Sequence, residues 1–194
     1  MYRDLREWIR MVDEIGELRV VEGAHWDKEI GALTEVAYRQ PQGGPMLLFD
    51  RIVGYPPGYR VVTNTVGSIN RLALALGLPL GLTKQQAAEL WHRKWKELRP
   101  IPPRYVSDGP VFEHVMRGDD VDLFRFPAPY WHEGDGGRYL GTGAVTITKD
   151  PDSDWYNLGI YRVQIHDRNH VFVYMSPGKQ GLESRVVVDF PARV

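Results

Sequence analysis

The fold of the second half of the chain is decided by three stretches: Leu140-Gly-Thr-Gly-Ala-Val-Thr-Ile-Thr148, Trp155-Tyr-Asn-Leu-Gly-Ile-Tyr-Arg-Val-Gln-Ile-His166 and His170-Val-Phe-Val-Tyr-Met-Ser176. Each is rich in β-branched and aromatic residues, which predicts a β-strand. Polar turns at residues 150–154 and 167–169 separate them, and short polar turns join antiparallel neighbours. We therefore predict an antiparallel meander. Because three strands cannot bury both faces of a sheet, we expect further strands that complete a β-barrel or a sandwich.

The residues before position 100 alternate between helical and strand patterns. Apolar side chains at helical spacing predict helices over residues 5–15, 27–41, 68–76 and 83–98. Asp27 is the expected cap of the second helix, and Thr83 with Gln86 forms a capping box for the last. Apolar and β-branched runs predict strands over residues 17–21, 46–49 and 60–66. The pattern indicates an α/β domain.

A proline-rich segment, Arg99-Pro-Ile-Pro-Pro-Arg104, lies between the two halves. Prolines at three of four neighbouring positions cannot continue a helix, and such segments form stiff connectors. We place a domain boundary between Pro100 and Pro110.

The composition excludes several classes of function. The chain has 24 basic and 25 acidic residues, a net charge of −1, so no strong field attracts nucleic acid or an anionic membrane. The lack of cysteine excludes disulfides, thiolate catalysis, cysteine zinc sites and iron–sulfur clusters. The N-terminus has no signal-peptide core, and the apolar run over residues 72–82 is too short to cross a bilayer. We expect a cytoplasmic protein without a nucleic-acid or membrane partner.

Basic residues alternate with tryptophans in Trp91-His-Arg-Lys-Trp95-Lys. This alternation allows a nucleic-acid-binding interpretation. However, Leu90, Trp91, Trp95 and Leu98 follow helical spacing, which predicts that both indole rings face the core.

Asn157 and Arg162 are polar residues within the second predicted strand. The simplest interpretation is a turn residue and a solvent-facing arginine. Because they are five positions apart, a regular strand would place them on opposite faces. A bulge at Gly159 would bring them to the same face.

Other segments could carry chemistry, and each also has a structural explanation. The glycine-rich residues 136–142 fit neither the Walker nor the dinucleotide pattern. Lys179 follows the third strand and could bind a phosphate or lie in a solvated turn. His166 and His170 flank a turn, where they could bind a metal or be surface residues. The polar cluster at residues 132–135 could be a metal site or an acid–base site, or it could be an exposed loop.

Taken in order, these motifs resemble the UbiD family of decarboxylases. The family pattern runs Gly-Gly-Arg/Lys-Tyr, Asp-Pro, Trp-x-Asn-x-Gly-x-x-Arg, Asp-Lys/Arg-Asn and Ser-Pro-Gly-Lys-His. The matching segments are residues 136–139, 150–151, 155–162, 167–169 and 176–180. Upstream proline motifs at residues 102–103, 109–110 and 126–129 also fit. The resemblance covers nearly the whole chain.

The resemblance implies an α+β fold. Residues 1–105 would form an N-terminal α/β domain, and residues 106–194 would form the first part of an antiparallel split β-barrel of flavin-binding type, incomplete on its own. It implies reversible, non-oxidative decarboxylation of an aromatic or α,β-unsaturated carboxylic acid. The implied cofactors are prenylated FMN, or FMN, and a divalent metal, Mn²⁺, with K⁺ as a further cation.

The resemblance also assigns site residues. Arg162 would hold the substrate carboxylate, and Asn157 would bind the metal through its amide oxygen. The residues implied to contact the cofactor are Asn157, Leu158, Gly159, Ile160, Tyr161, Arg162, Lys179 and Gln180. Lys179 and Gln180 would face the phosphate and the metal.

Two departures from the family pattern shape the functional hypothesis. Gln180 stands where the family has a histidine metal ligand. Family members are also more than twice as long, and their third metal ligand and catalytic glutamates match no residue here. We therefore expect activity only with a missing half, from a longer chain or from another subunit of a homo- or hetero-oligomer. The alternative is a non-catalytic flavin-binding or assembly subunit.

Overall fold

The computed structural model describes residues 2–99, 101–102 and 104–176. Its contacts divide the chain into two compact units between residues 103 and 104. The helices of the first unit are α1 (Leu5–Glu14), α2 (Glu29–Tyr38), α3 (Ile69–Leu76) and α4 (Lys84–Glu97). Its strands are β1 (Leu18–Glu22), β2 (Met46–Asp50) and β3 (Val61–Thr63). The strands of the second unit are β4 (Tyr139–Gly141), β5 (Val145–Lys149), β6 (Tyr156–Ile160), β7 (Val163–Ile165) and β8 (Val171–Val173).

The first unit is built around a small mixed sheet in the order β1-β2-β3, with β1 parallel and β3 antiparallel to β2. The central strand β2 is a continuous apolar run, and residues 46–49 are buried. Trp8 and Val12 of α1 pack on Leu18, Met46 and Leu48 of the sheet. The predicted mixed α+β character is confirmed.

Three of the four helix starts in this unit follow local sequence signals, including that of α3, where the Ser68 hydroxyl accepts from the backbone N–H of Arg71 at 3.0 Å. The capping box of Thr83 and Gln86 is present at α4, as predicted. Asp4 caps α1 by accepting a hydrogen bond from the backbone N–H of Glu7 at 2.9 Å. The predicted cap of α2 at Asp27 is wrong, because the N-cap is Lys28, which has a φ of 65° and no side-chain capping bond.

The prediction that both tryptophans of α4 face the core is wrong for Trp95. Trp91 is half-buried, whereas Trp95 is 63% exposed. Ala87 is the buried residue of α4, and the Nζ of Lys94 donates to the carbonyl of Leu76 at the end of α3 at 2.6 Å. These contacts select the face of α4 that packs, and Trp95 lies beyond it.

A buried ion pair joins α3 to the residue before β1. The side chain of Arg71 is fully buried, and its Nη1 donates to Oε2 of Glu17 at 2.7 Å. Ser68 also donates to this carboxylate, and Asn70 Nδ2 donates to its Oε1 at 3.0 Å. Burial lowers the pKa of Arg71, and the charge of Glu17 opposes that shift. The paired carboxylate thus offsets the desolvation of a buried cation.

In the second unit the predicted three-strand meander is replaced by two small sheets. The predicted strand 140–148 is divided into β4 and β5, and the predicted strand 155–166 is divided into β6 and β7. One sheet has the order β4-β7-β8, and the other is the antiparallel pair β5-β6. Each predicted strand is divided because its regular strand pairing is interrupted. Gly141 lies at a register irregularity of β4, and residues 161–162 leave the strand conformation.

The segment before β4 packs on the sheet β4-β7-β8. The guanidinium of Arg138 donates to the carbonyls of Ala128 and Phe126 at 2.7 and 3.1 Å. Leu123, Ala128 and Ile165 form a small buried cluster with Val171 packed against it. Through the described part of the chain, no helix is long and apolar enough to cross a membrane.

Candidate functional site

The candidate site lies where β6 ends and the chain passes to β7. The pairing of β6 with β5 is regular, with Asn157 opposite Thr148 and Gly159 opposite Thr146. The predicted bulge at Gly159 is therefore wrong. The break lies instead at Tyr161 and Arg162, which belong to neither strand.

Gly159 has a different structural role. A Cβ placed on this residue would lie 2.2 Å from Cε2 of Tyr161 and 2.8 Å from its hydroxyl oxygen. The aromatic ring thus occupies the space that a larger residue at position 159 would fill. Glycine is required here for close approach and not for a bulge.

A cavity of about 640 Å³ opens beside this break. Its volume is within the range of small-molecule sites. The lining residues are Tyr139, Thr142, Gly159, Ile160, Tyr161, Arg162, Gln164, Phe172, Tyr174 and Ser176. Four of the predicted site residues, at positions 159–162, are therefore brought to one wall.

Arg162 is exposed on this wall. Within residues 2–99, 101–102 and 104–176, its guanidinium has no ion-pair or hydrogen-bond partner. A guanidinium carries a permanent positive charge and a planar fork of donors that matches a carboxylate. The cavity can therefore bind a small carboxylic acid through this side chain.

Asn157 lies on the same face of β6 as Gly159 but is not among the residues that line the cavity. It is only 7% exposed, and its amide Nδ2 is buried without a hydrogen-bond partner among the described residues. Buried polar atoms are nearly always paired, so such an exception needs an explanation. An amide oxygen is a suitable ligand for a hard divalent cation.

Among the other predicted site residues, one does not line the cavity and two cannot be placed. Leu158 is 66% exposed on the opposite face of β6 and is not among the lining residues. Lys179 and Gln180 lie outside the described residues. Their assignments stay predictions.

The histidine clusters form turn contacts. His170 Nδ1 lies 2.9 Å from the carboxylate of Asp167, and the ring of His166 contacts that of Phe172 in a tilted arrangement with 4.3 Å between centroids. Hydrogen bonds from the backbone of Asn169 and from His170 lower the pKa of Asp167. Across the described residues there is no group of three or more His, Cys, Asp or Glu that could hold a metal.

The sequence analysis missed several lining residues, of which Gln164 is the most informative. Its Nε2 donates to the carbonyl of Gly136 at 2.7 Å and lies against Gly137, where a Cβ would approach to 2.9 Å. The glycine pair before β4 was the available signal, because adjacent glycines often mark a close approach of another group.

Two family models match the chain. Residues 9–90 match the 3-octaprenyl-4-hydroxybenzoate carboxy-lyase N-terminal domain, and residues 104–186 match the Rift-related domain of the same enzyme class. Both matches are to domains of one carboxy-lyase family. The chain belongs to the UbiD family.

The curated relatives of this chain include decarboxylases. The chain is 38% identical over 148 residues to pyrrole-2-carboxylic acid decarboxylase of Pseudomonas aeruginosa, covering 73% of this chain and 29% of that protein. It is 37% identical over 180 residues to phenolic acid decarboxylase of Sedimentibacter hydroxybenzoicus, covering 88% of this chain and 36% of that protein. The chain therefore spans about a third of the length of these relatives.

Solved structures of similar sequence have the same fold as this chain. The closed form of S. hydroxybenzoicus vanillic acid decarboxylase superimposes with a TM-score of 0.82 and 32% identity over 91% of this chain and 38% of that chain. An evolved dimeric form of the UbiD-class enzyme HmfF from Pelotomaculum thermopropionicum, in complex with prenylated FMN (prFMN), gives a TM-score of 0.72 at 32% identity, covering 91% of this chain and 39% of that chain.

Proposed function

We propose that this chain acts in a UbiD-type carboxy-lyase that reversibly decarboxylates an aromatic or α,β-unsaturated carboxylic acid. The observation that carries the proposal is Arg162, a guanidinium without a counter-ion in the described structure, on the wall of a cavity of about 640 Å³. A pocket of this size holds a flavin ring or a small acid, and a free guanidinium recognises a carboxylate.

The proposed cofactor is prenylated FMN or FMN. When bound, it supplies the electron sink for the charge left on carbon as carbon dioxide departs. The HmfF relatives are described with prFMN and with FMN. On this chain, Gly159, Ile160 and Tyr161 would lie along the flavin, where the missing Cβ of Gly159 leaves room for the Tyr161 ring. Leu158 would contact the cofactor through its backbone.

The proposed metal site uses Asn157 and Gln180 through their amide oxygens, with Mn²⁺ as the cation and K⁺ as a further ion. Asn157 fits this role because its side chain is buried and has no hydrogen-bond partner among the described residues. Hard cations favour oxygen ligands. Lys179 would bind the cofactor phosphate as a point charge.

The proposed architecture is a split β-barrel completed by residues beyond those described here. Two chain segments, β4 to β5 and β6 to β7, pass from one small sheet to the other. Such passages are how a barrel is divided into two sheets. The remaining strands and the catalytic glutamates would come from further residues of a longer chain or from a partner subunit. The related vanillic acid decarboxylase ShVdcCD was described with a component named ShVdcD.

The test uses the complete assembly, purified from its native source together with any chain that co-purifies and then supplied with prenylated FMN. We expect it to take up prenylated FMN, seen as a flavin absorbance band, and to release carbon dioxide from at least one acid of a panel. The panel contains pyrrole-2-carboxylate and vanillate, chosen from the names of the relatives.

Two outcomes would contradict this function. Flavin uptake without carbon dioxide release from any aromatic or unsaturated acid would favour a flavin-binding or assembly subunit. Absence of flavin uptake would contradict the proposal that the chain binds a flavin cofactor.

A further inference from the structure

The pair β5-β6 has an inverted distribution of polar and apolar side chains. Aliphatic residues are exposed on one face, namely Val145, Ile147, Leu158 and Ile160. Thr148 and Asn157 lie on the other face, and they are only 5% and 7% exposed. Burying a polar group costs free energy unless the group forms a hydrogen bond. The buried face is therefore suited to a polar ligand.

Thr148 and Asn157 are direct cross-strand partners in this hairpin. Both carry a buried side-chain atom that has no hydrogen-bond partner among the described residues, Oγ1 of Thr148 and Nδ2 of Asn157. Two unpaired buried atoms on opposed residues are unusual, because native structures contain few such atoms. Their coincidence indicates that the two side chains act together.

The two groups are chemically complementary. The Nδ2 of an asparagine offers two donors, and a threonine hydroxyl offers acceptor lone pairs. The Cβ atoms of directly opposed residues in an antiparallel pair are about 4.5–5.5 Å apart. The two side chains are therefore neighbours, and the hydrogen bond between them, which the described structure does not contain, requires a change of their χ torsions.

We propose that Thr148 is a positioning residue for Asn157: its hydroxyl accepts a hydrogen bond from Nδ2 and so turns the amide oxygen toward the divalent cation. This inference rests on the proposed function, which assigns Asn157 to the metal. Without an acceptor for the nitrogen, a 180° turn of the amide would present hydrogens to the cation. The hydroxyl therefore holds the binding orientation, as groups behind metal ligands commonly do.

The experiment measures Mn²⁺ affinity of the complete assembly by EPR titration of free Mn²⁺. We compare Thr148→Val, which keeps the shape and removes the hydroxyl, with Thr148→Ser, which keeps the hydroxyl. The matched control is Thr146→Val, on the same face of the same strand and opposite Gly159. Asn157→Ala tests the metal assignment itself.

We expect Thr148→Val to raise the Mn²⁺ dissociation constant about 10- to 100-fold, the loss usual for groups that orient ligands. Thr148→Ser and Thr146→Val should stay within about threefold of the wild type, well below that loss. A wild-type constant in Thr148→Val, with weakened binding in Asn157→Ala, would overturn the role of Thr148 alone. Wild-type binding in Asn157→Ala would overturn the metal assignment and this inference with it.

Discussion

Replacing Arg162 by alanine should reduce kcat/KM of the complete enzyme by at least about 100-fold while leaving the flavin bound. The guanidinium lies on the cavity wall and has no counter-ion among the described residues, so a substrate carboxylate is its expected partner. Its removal leaves that charge without a donor pair. Arg162→Lys should recover only part of the activity, because an ammonium lacks the planar fork. The measurement is carbon dioxide release together with flavin absorbance.

The matched control for this variant is Arg168→Ala. Arg168 lies in the same unit, its side chain is 67% exposed, and its Nη2 is 3.6 Å from Asp122 in a surface ion pair. The Arg168→Ala substitution removes the same charge, and Arg168 is not among the residues that line the cavity. We expect wild-type turnover from this control. An Arg162→Ala enzyme with the turnover of the Arg168→Ala enzyme would exclude Arg162 from substrate binding.

The second large effect concerns stability. Replacing Glu17 by glutamine should lower the free energy of unfolding by about 3 kcal/mol, because it leaves the Arg71 cation buried without its counter-charge. The Arg71 side chain is fully buried, whereas Glu17 keeps 22% exposure, which favours the lower end of the range for broken buried pairs. Urea unfolding followed by circular dichroism measures the change.

The control for this variant is Glu22→Gln. Glu22 pairs with Arg51 at 3.7 Å, and the side chains are 58% and 71% exposed. Exposed pairs contribute about 0–1 kcal/mol. Equal losses in Glu17→Gln and Glu22→Gln would contradict the importance of the buried pair.

Local signals predicted the parts of the fold that depend on neighbouring residues. The capping box at Thr83 and Gln86 is a contact between residues three positions apart, so the sequence alone determines it. The apolar run over residues 46–49 likewise predicted a strand, and these residues form most of β2. Both predictions are confirmed.

The sequence did not reveal features set by distant contacts. Residues 155–166 read as one strand because their composition is uniform, yet residues 161–162 leave the strand and the chain enters another sheet. Gly159 was interpreted as a bulge, but its actual constraint is the ring of Tyr161. Trp95 is exposed because α4 packs through Ala87 and Lys94. Helical spacing alone does not determine which face of a helix packs.

The residues of the candidate site were predicted from the order and spacing of motifs. The structure brings only some of these residues together. The structure brings residues 159–162 to one cavity wall. The hydroxyl of Thr148 has no hydrogen-bond partner among the described residues, and its position opposite Asn157 is known only from the register of β5 with β6. A threonine in a strand has no sequence signal that distinguishes it from an ordinary β-former.

The central claim is that the amide of Asn157 and the guanidinium of Arg162 serve one flavin site. Its most direct test is a crystal structure of the complete assembly loaded with prenylated FMN and Mn²⁺, with the metal located by anomalous scattering. We predict a metal about 2.0–2.6 Å from Oδ1 of Asn157, the range of hard-cation bonds, and a flavin whose ring faces Arg162. A metal bound elsewhere, or a flavin remote from Arg162, would contradict the account.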